Sequence, residues 1–184
     1  MNAALRLSWY KFKHHYMDFV KVLLGIIAFE GLILYIQEKG FLKDFETTRM
    51  TLFLLLFSTS LLIVVQNSIY ISKERSVLNR DFFSGLSRSA FAIASMGIHA
   101  FFAVLETVVF ILSYSIFSKY FDKEFPDAGH IFSSYRWEVG ITVLLVFLAS
   151  HFIALFISAL VGKSEITSVI LAVVVGIMQF SLSG

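Results

Sequence analysis

The stretch from Met50 to Ser72 contains no charged residue and is predominantly apolar. A helix needs about 20 such residues to cross the hydrocarbon core of a bilayer. This stretch therefore predicts a membrane-spanning helix. The composition points the same way, because 58% of the residues are hydrophobic and only 15% are charged, too few to cover a soluble globule of 184 residues.

Five apolar segments of this kind predict an all-α fold, a polytopic membrane helical bundle of about five transmembrane helices. A β-barrel is disfavoured because it needs short alternating segments, whereas these runs are continuous. The fourth and fifth segments are separated by very few residues, so we expect them to form a tight hairpin. The predicted spans are residues 19–37, 50–72, 89–117, 139–162 and 166–184.

Basic residues indicate the orientation, because lysine and arginine are retained on the cytoplasmic side of short loops. They exceed acidic residues before the first span and in the segment 73–88. In the loops 38–49 and 118–138 acidic residues match or exceed them. We therefore expect a multi-pass protein of a plasma or inner membrane, with its N-terminus and residues 73–88 in the cytoplasm.

Residues 1–18 predict a separate element, an amphipathic interfacial helix that precedes the transmembrane domain of residues 19–184. Leu5, Trp9, Phe12 and Tyr16 recur at alternating spacings of four and three, which places them on one helix face. Such a helix lies in the membrane interface. A basic, poorly ordered flank of the first span is the alternative.

Ionisable residues within the spans are the candidates for intramembrane contacts, because a charge at membrane depth costs at least a few kcal/mol unless it is neutralised, hydrated or paired. One interpretation is that they line a cavity and touch polar cargo or protons. The other is that the glutamates are protonated, or hydrogen-bonded across helices to groups such as Gln66, Asn67 or Tyr114. The candidates are Glu30, Gln66, Asn67, His99, Glu106 and His151.

Two of these candidates share one helix face. His99 and Glu106 are seven residues apart, about two helical turns, so both should point inward from the third span. No catalytic constellation, metal site or cofactor site is predicted on this chain, because the sequence contains no cysteine and no recognisable nucleophile, phosphate-loop or calcium-loop pattern.

The segment 73–88 predicts a short amphipathic cytoplasmic helix able to dock on a partner. Apolar residues such as Val77 and Leu78 alternate there with Arg80 and Asp81. Gly85 then interrupts the helix, and Ser87 or Ser89 can cap the third span. A loop whose aromatic side chains rest on the lipid surface is the alternative.

The stretch from Lys73 to Asp81, followed by Gly85-Leu86-Ser87, resembles the coupling helix of one family of membrane domains. These are the permeases of the G-subfamily of ABC transporters and of the bacterial type-two ABC exporters. The order of segments is similar over nearly the whole chain. The resemblance implies that a nucleotide-binding ATPase is contacted by Glu74, Arg75, Arg80, Asp81, Phe82 and Gly85.

The resemblance further implies a permease subunit of an ABC exporter, working by alternating access together with a second permease half as a homo- or heterodimer. ATP and magnesium are expected on the partner ATPase, and this chain is not expected to be an enzyme. Its partners would also include the lipid bilayer but no nucleic acid, since the net charge is only +2.

Family members usually have six spans, so the end at Gly184 leads us to expect a truncated or incomplete chain. Because the sequence shows no nucleotide-binding domain, we expect the ATPase on a separate subunit or in a region missing here. Two other classes stay open. One is a membrane scaffold or accessory subunit, and the other is an intramembrane enzyme using Glu30, Glu106 or the histidines.

Overall fold

A computed structural model of the chain describes Tyr10, Lys13, Ile131 and residues 16–37, 45–122, 134–161 and 164–182, without the side chains of residues 45–47, 180 and 182. All regular elements in these ranges are helices, which confirms the predicted all-α fold. In chain order they are α1 (Tyr16–Ile36), α2 (Phe45–Asn67), α3 (Tyr70–Lys73), α4 (Arg75–Phe83), α5 (Arg88–Tyr120), α6 (Tyr135–Leu160) and α7 (Glu165–Leu182).

Four helical segments within the described ranges are long and apolar enough to cross a membrane. They are Tyr16–Ile36, Thr48–Lys73, Arg88–Tyr120 and Tyr135–Leu160. The predicted fifth span corresponds to α7, whose apolar part, Glu165–Gln179, is shorter than the other four. The predicted membrane bundle is therefore present, with a fifth helix of reduced apolar length.

Four long helices form a closed ring in which each contacts two neighbours. α1 packs on α2 and α5, while α6 packs on the other sides of α2 and α5. Each of the four helices contributes to a shared core, for example through Ile26, Ile63, Phe110 and Phe147. α7 lies outside this ring and packs mainly against α2, with a smaller contact on the predicted neighbour α6.

Small residues let the helices approach closely where they pack. A Cβ atom added at Gly176 of α7 would lie 2.4 Å from Leu61 Cδ1 of α2. One added at Gly140 of α6 would lie 2.8 Å from Ile111 Cδ1 of α5. Glycine at such contacts is common in membrane bundles, where close backbone approach supplies packing energy. A side chain at either glycine would therefore require the end of the facing leucine or isoleucine side chain to move.

The second predicted span, residues 50–72, is confirmed as the apolar segment Thr48–Lys73, but a turn that was not predicted divides its helix in two. α2 ends at Asn67, and α3 begins at Tyr70 after a turn. The Ser158 hydroxyl of α6 accepts hydrogen bonds from the amides of Ile71 at 2.8 Å and Ser72 at 3.1 Å. It thereby satisfies donors that a new helix start leaves unpaired. This contact fixes α3 to α6.

The N-terminal prediction falls largely outside the described residues. Tyr10 and Lys13 are helical and exposed, whereas Leu5, Trp9 and Phe12 are not described. At the far end of α5, Tyr120 is 83% exposed, as befits a residue at a membrane interface.

Candidate functional site

α4 has two unlike faces. On the inner face, Leu78 is buried, and the Phe82 ring packs edge-on against Phe91 of α5 with 5.9 Å between ring centroids. On the outer face, Phe83 is 94% exposed and the Arg80 side chain is 79% exposed. The predicted amphipathic helix is therefore present, and its outer face offers one aromatic ring beside charged groups.

Arg75 connects the start of α4 to the end of α6. Its Nη1 atom donates to the carbonyl oxygens of Ala159 at 3.2 Å and Val161 at 2.8 Å. The last carbonyls of a helix have no partner within the helix, and a cation there also interacts favourably with the helix dipole. Together with Ser158, this contact ties α3 and α4 to α6.

The turn after α4 contains the helix-ending glycine and the capping serine that the sequence predicts. Gly85 adopts φ +104°, a conformation that favours glycine, and the helix ends there. The Ser87 hydroxyl then accepts a hydrogen bond from the amide of Ala90 at 3.5 Å and caps α5. The predicted stop and the predicted cap are both present.

All six residues to which the resemblance assigns contact with an ATPase lie on or beside α4. Glu74 stands at the junction of α3 and α4, and Asp81 lies next to Arg80, with 4.0 Å between a carboxylate oxygen and Nε. Between α4, α5 and α6 lies an apolar groove of about 470 Å³, lined in part by Arg75, Leu78 and Phe82. α4 is therefore fixed at its start and loosely packed along its length.

Three of the intramembrane candidates meet between α5 and α6. Glu106 Oε2 lies 2.8 Å from His151 Nε2, and His151 Nδ1 lies 3.0 Å from His99 Nδ1. All three side chains are fully buried. The inward face predicted from the spacing of His99 and Glu106 is thus confirmed, while His151 was not predicted as their shared partner.

The remaining candidates are placed apart from Glu106. Ser113 of α5 donates to Glu30 Oε2 of α1. Gln66 and Asn67 line a cavity together with His99. Both glutamates are therefore hydrogen-bonded across helices, as one of the two interpretations expected, but their partners are Ser113 and His151 rather than Gln66, Asn67 or Tyr114.

Ser113 carried a usable signal in the sequence. It follows Glu106 by seven residues, as Glu106 follows His99, so the three lie on one face of α5. The contribution of Tyr70 could not be foreseen, because it depends on the break between α2 and α3. Its ring packs edge-on against His99 with 4.8 Å between centroids.

Within the described part of the chain, no group of three or more histidine, cysteine, aspartate or glutamate side chains is arranged to hold a metal ion. The geometry therefore defines a polytopic helical membrane protein with a short amphipathic helix fixed to one end of its bundle. In the interior, His99, His151 and Glu106 form a buried polar row.

A family model described as ABC-2 type transporter matches residues 5–184. The chain therefore belongs to the ABC-2 type transporter family, as the resemblance implied. It is a multi-pass membrane protein and a permease domain of an ABC transporter, and membership implies a nucleotide-binding ATPase as partner. No curated protein and no solved structure matches the chain.

Proposed function

We propose that this chain is the permease subunit of an ABC exporter, in which ATP hydrolysis on a partner domain drives alternating access through α4. The observation that carries the proposal is the contrast between the faces of α4. Its start is bonded to α6 through Arg75, whereas Arg80 and Phe83 are exposed. A partner that binds the exposed face can therefore pull or push on the bundle through the bonded end.

The groove of about 470 Å³ behind α4 supports movement of this kind. A tightly packed interior does not deform gradually, so a displacement needs free volume or a second packing arrangement. Tilting of α4 into the groove moves Phe82 against Phe91 at the start of α5. Motion at the ATPase would thus reach both α5 and α6.

In the proposed assembly, ATP and magnesium are bound by the ATPase, and two permease halves, identical or different, enclose the cargo pathway. The N-terminus and α4 face the cytoplasm, in a plasma or inner membrane. Cargo is moved because it binds the two states of the pathway with different affinity, and ATP hydrolysis alternates these states.

Co-purification with the ATPase subunits encoded beside the gene tests the coupling proposal. Arg80→Glu reverses an exposed charge on α4, and Lys119→Glu makes the same change at the opposite end of α5. We expect the unchanged chain and the Lys119→Glu variant to retain an ATPase, and the Arg80→Glu variant to lose it. If no ATPase is retained by any folded variant, a scaffold or accessory role replaces the permease proposal.

A further inference from the structure

The buried row between α5 and α6 consists of three ionisable side chains, whereas uncharged polar side chains would suffice to join two helices. Glu106, His151 and His99 form an unbroken series of hydrogen bonds of 2.8 and 3.0 Å in a part of the protein that excludes solvent. All three groups can bind or release a proton. Buried ionisable groups at membrane depth are costly, and they often mark paths for ions or protons.

One end of the row borders a cavity of about 80 Å³. His99 lines it, and among the described residues His99 Nε2 has no hydrogen-bond partner. Most of its lining is apolar, and its volume is large enough for a few water molecules at the polar groups. The ionisable or polar groups that line it with His99 are Asp18 of α1, Gln66 and Asn67 of α2, and Tyr70, Lys73 and Glu74 of α3 and its C-cap.

The opposite end of the row is closed. Glu106 Oε2 faces His151 of α6, and Glu106 Oε1 has no hydrogen-bond partner among the described residues. The other buried carboxyl group, Glu30 of α1, contacts Ser113, which lies about 10 Å further along α5 by helix geometry. A proton that enters at His99 can therefore travel no further than Glu106 along these contacts.

The bonding of the row permits two proton arrangements. In the first, Glu106 is a carboxylate that accepts from His151 Nε2–H, and His151 Nδ1 accepts from His99 Nδ1–H. His99 Nε2 is then an unprotonated nitrogen without a hydrogen-bond partner among the described residues, on a side chain that borders the cavity, since a neutral imidazole carries one N–H. The row as a whole carries one negative charge.

In the second arrangement, one proton from the cavity has bound His99 Nε2. The Nδ1 proton of His99 has passed to His151 Nδ1, and the Nε2 proton of His151 has passed to Glu106 Oε2. Both imidazoles remain neutral, Glu106 is a carboxylic acid, and each hydrogen bond persists with its direction reversed. The row has gained one proton and lost its net charge without any side chain changing place.

We propose that His99, His151 and Glu106 form a proton-binding site of the permease, loaded from the cavity at the α4 end of the bundle. This assignment goes beyond the proposed coupling function and does not depend on it. Tyr70 packs on the His99 ring, so displacement of α3 changes the entrance to the site. Proton occupancy in the bundle is therefore linked to the position of the segment that carries α4.

Infrared difference spectroscopy of the full chain in lipid nanodiscs tests the proposal with protons as the only ligand. Lowering the pH produces carbonyl bands from every carboxylate that becomes protonated, and the chain has 13 aspartate and glutamate residues. The contribution of the row is the part of this signal that Glu106→Gln removes and that Glu30→Gln, the matched change at the other buried glutamate, leaves in place. If the row serves only as a structural contact, Glu106→Gln leaves the titrating signal unchanged.

Rapid pH jumps test the route. We expect His99→Phe, which removes the proton acceptor at the cavity, to slow the appearance of the band by at least an order of magnitude. Asn67→Leu, which makes the cavity less polar without touching the row, should slow it as well and serves if His99→Phe does not fold. A band that is absent or insensitive to Glu106→Gln contradicts the proposal, and so does an unchanged rate in the folded route variants.

Discussion

Single hydroxyl groups connect the helices of this bundle at buried positions. The Ser158 hydroxyl of α6 accepts hydrogen bonds from two backbone amides of α3. The Ser60 hydroxyl of α2 and the Ser150 hydroxyl of α6 are hydrogen-bonded at 2.6 Å. In a membrane, backbone and side-chain polar groups must find partners within the protein. These hydrogen bonds therefore contribute more to the stability of the bundle than the small size of a hydroxyl group suggests.

Ser158→Ala should destabilise the protein by about 1–3 kcal/mol, because the amides of Ile71 and Ser72 lose their buried acceptor. Ser181→Ala is the matched control. Ser181 is exposed, and among the described residues its hydroxyl bonds within its own helix, to the carbonyl oxygen of Ile177. Thermal unfolding in detergent measures both variants, and equal transition temperatures would contradict the assigned role of Ser158.

At the scale of helices, the apolar runs predicted the elements well because length and lack of charge suffice to define a span. The positions of Gly85 and Ser87 also predicted where α4 ends and α5 begins, since both act through local backbone geometry. The break between α2 and α3 was missed. The polar run from Gln66 to Ser68 was its only local sign, and Ser158, which stabilises the break, is remote in sequence.

Part of the polar row, His99 and Glu106, was also predicted from a local feature of the sequence. The seven-residue spacing placed His99 and Glu106 on one face of α5, because helical periodicity is local. The partner of that face depends on how α6 is rotated about its axis. That rotation follows from packing between the helices, so the meeting with His151 could not be inferred from spacing.

The contact between α7 and α2 depends on Gly176. Gly176→Val places methyl groups where Leu61 Cδ1 already lies, so we expect α7 to separate from α2 and the transition temperature to fall. Gly97 of α5 is the matched control, because an added Cβ there meets no atom within 4 Å. Gly97→Val should be neutral or slightly stabilising, since valine has a higher helix propensity than glycine. Equal destabilisation by both changes would argue against close packing at Gly176.

At the scale of the whole molecule, α4 lies at one end of the bundle and Tyr120 at the other. In the sequence, basic residues exceed acidic ones in the segment 73–88, which contains α4, but not in the loops 38–49 and 118–138. Basic residues are retained in the cytoplasm, so the proposed orientation places α4 inside the cell. The proposed coupling and the proposed loading of the proton site from the α4 end both refer to this same side.

Cysteine labelling tests the orientation, and the natural sequence is suited to it because it contains no cysteine. Arg80→Cys and Tyr120→Cys each introduce one thiol at an exposed position, at opposite ends of the bundle. A membrane-impermeant maleimide added to intact cells should label only Tyr120→Cys. Labelling of Arg80→Cys alone would reverse the orientation.

The central claim is that α4 transmits force between an ATPase and the bundle, and site-specific photocross-linking tests it most directly. A benzoyl-phenylalanine replaces Phe83, the 94% exposed ring of α4, in cells that express the neighbouring ATPase subunits. The same group at Ile116 of α5, which is 68% exposed and remote from α4 along the helix, is the control. We predict a covalent adduct with an ATPase subunit from position 83 and none from position 116. Absence of an ATPase adduct at position 83 in the folded protein would contradict the account.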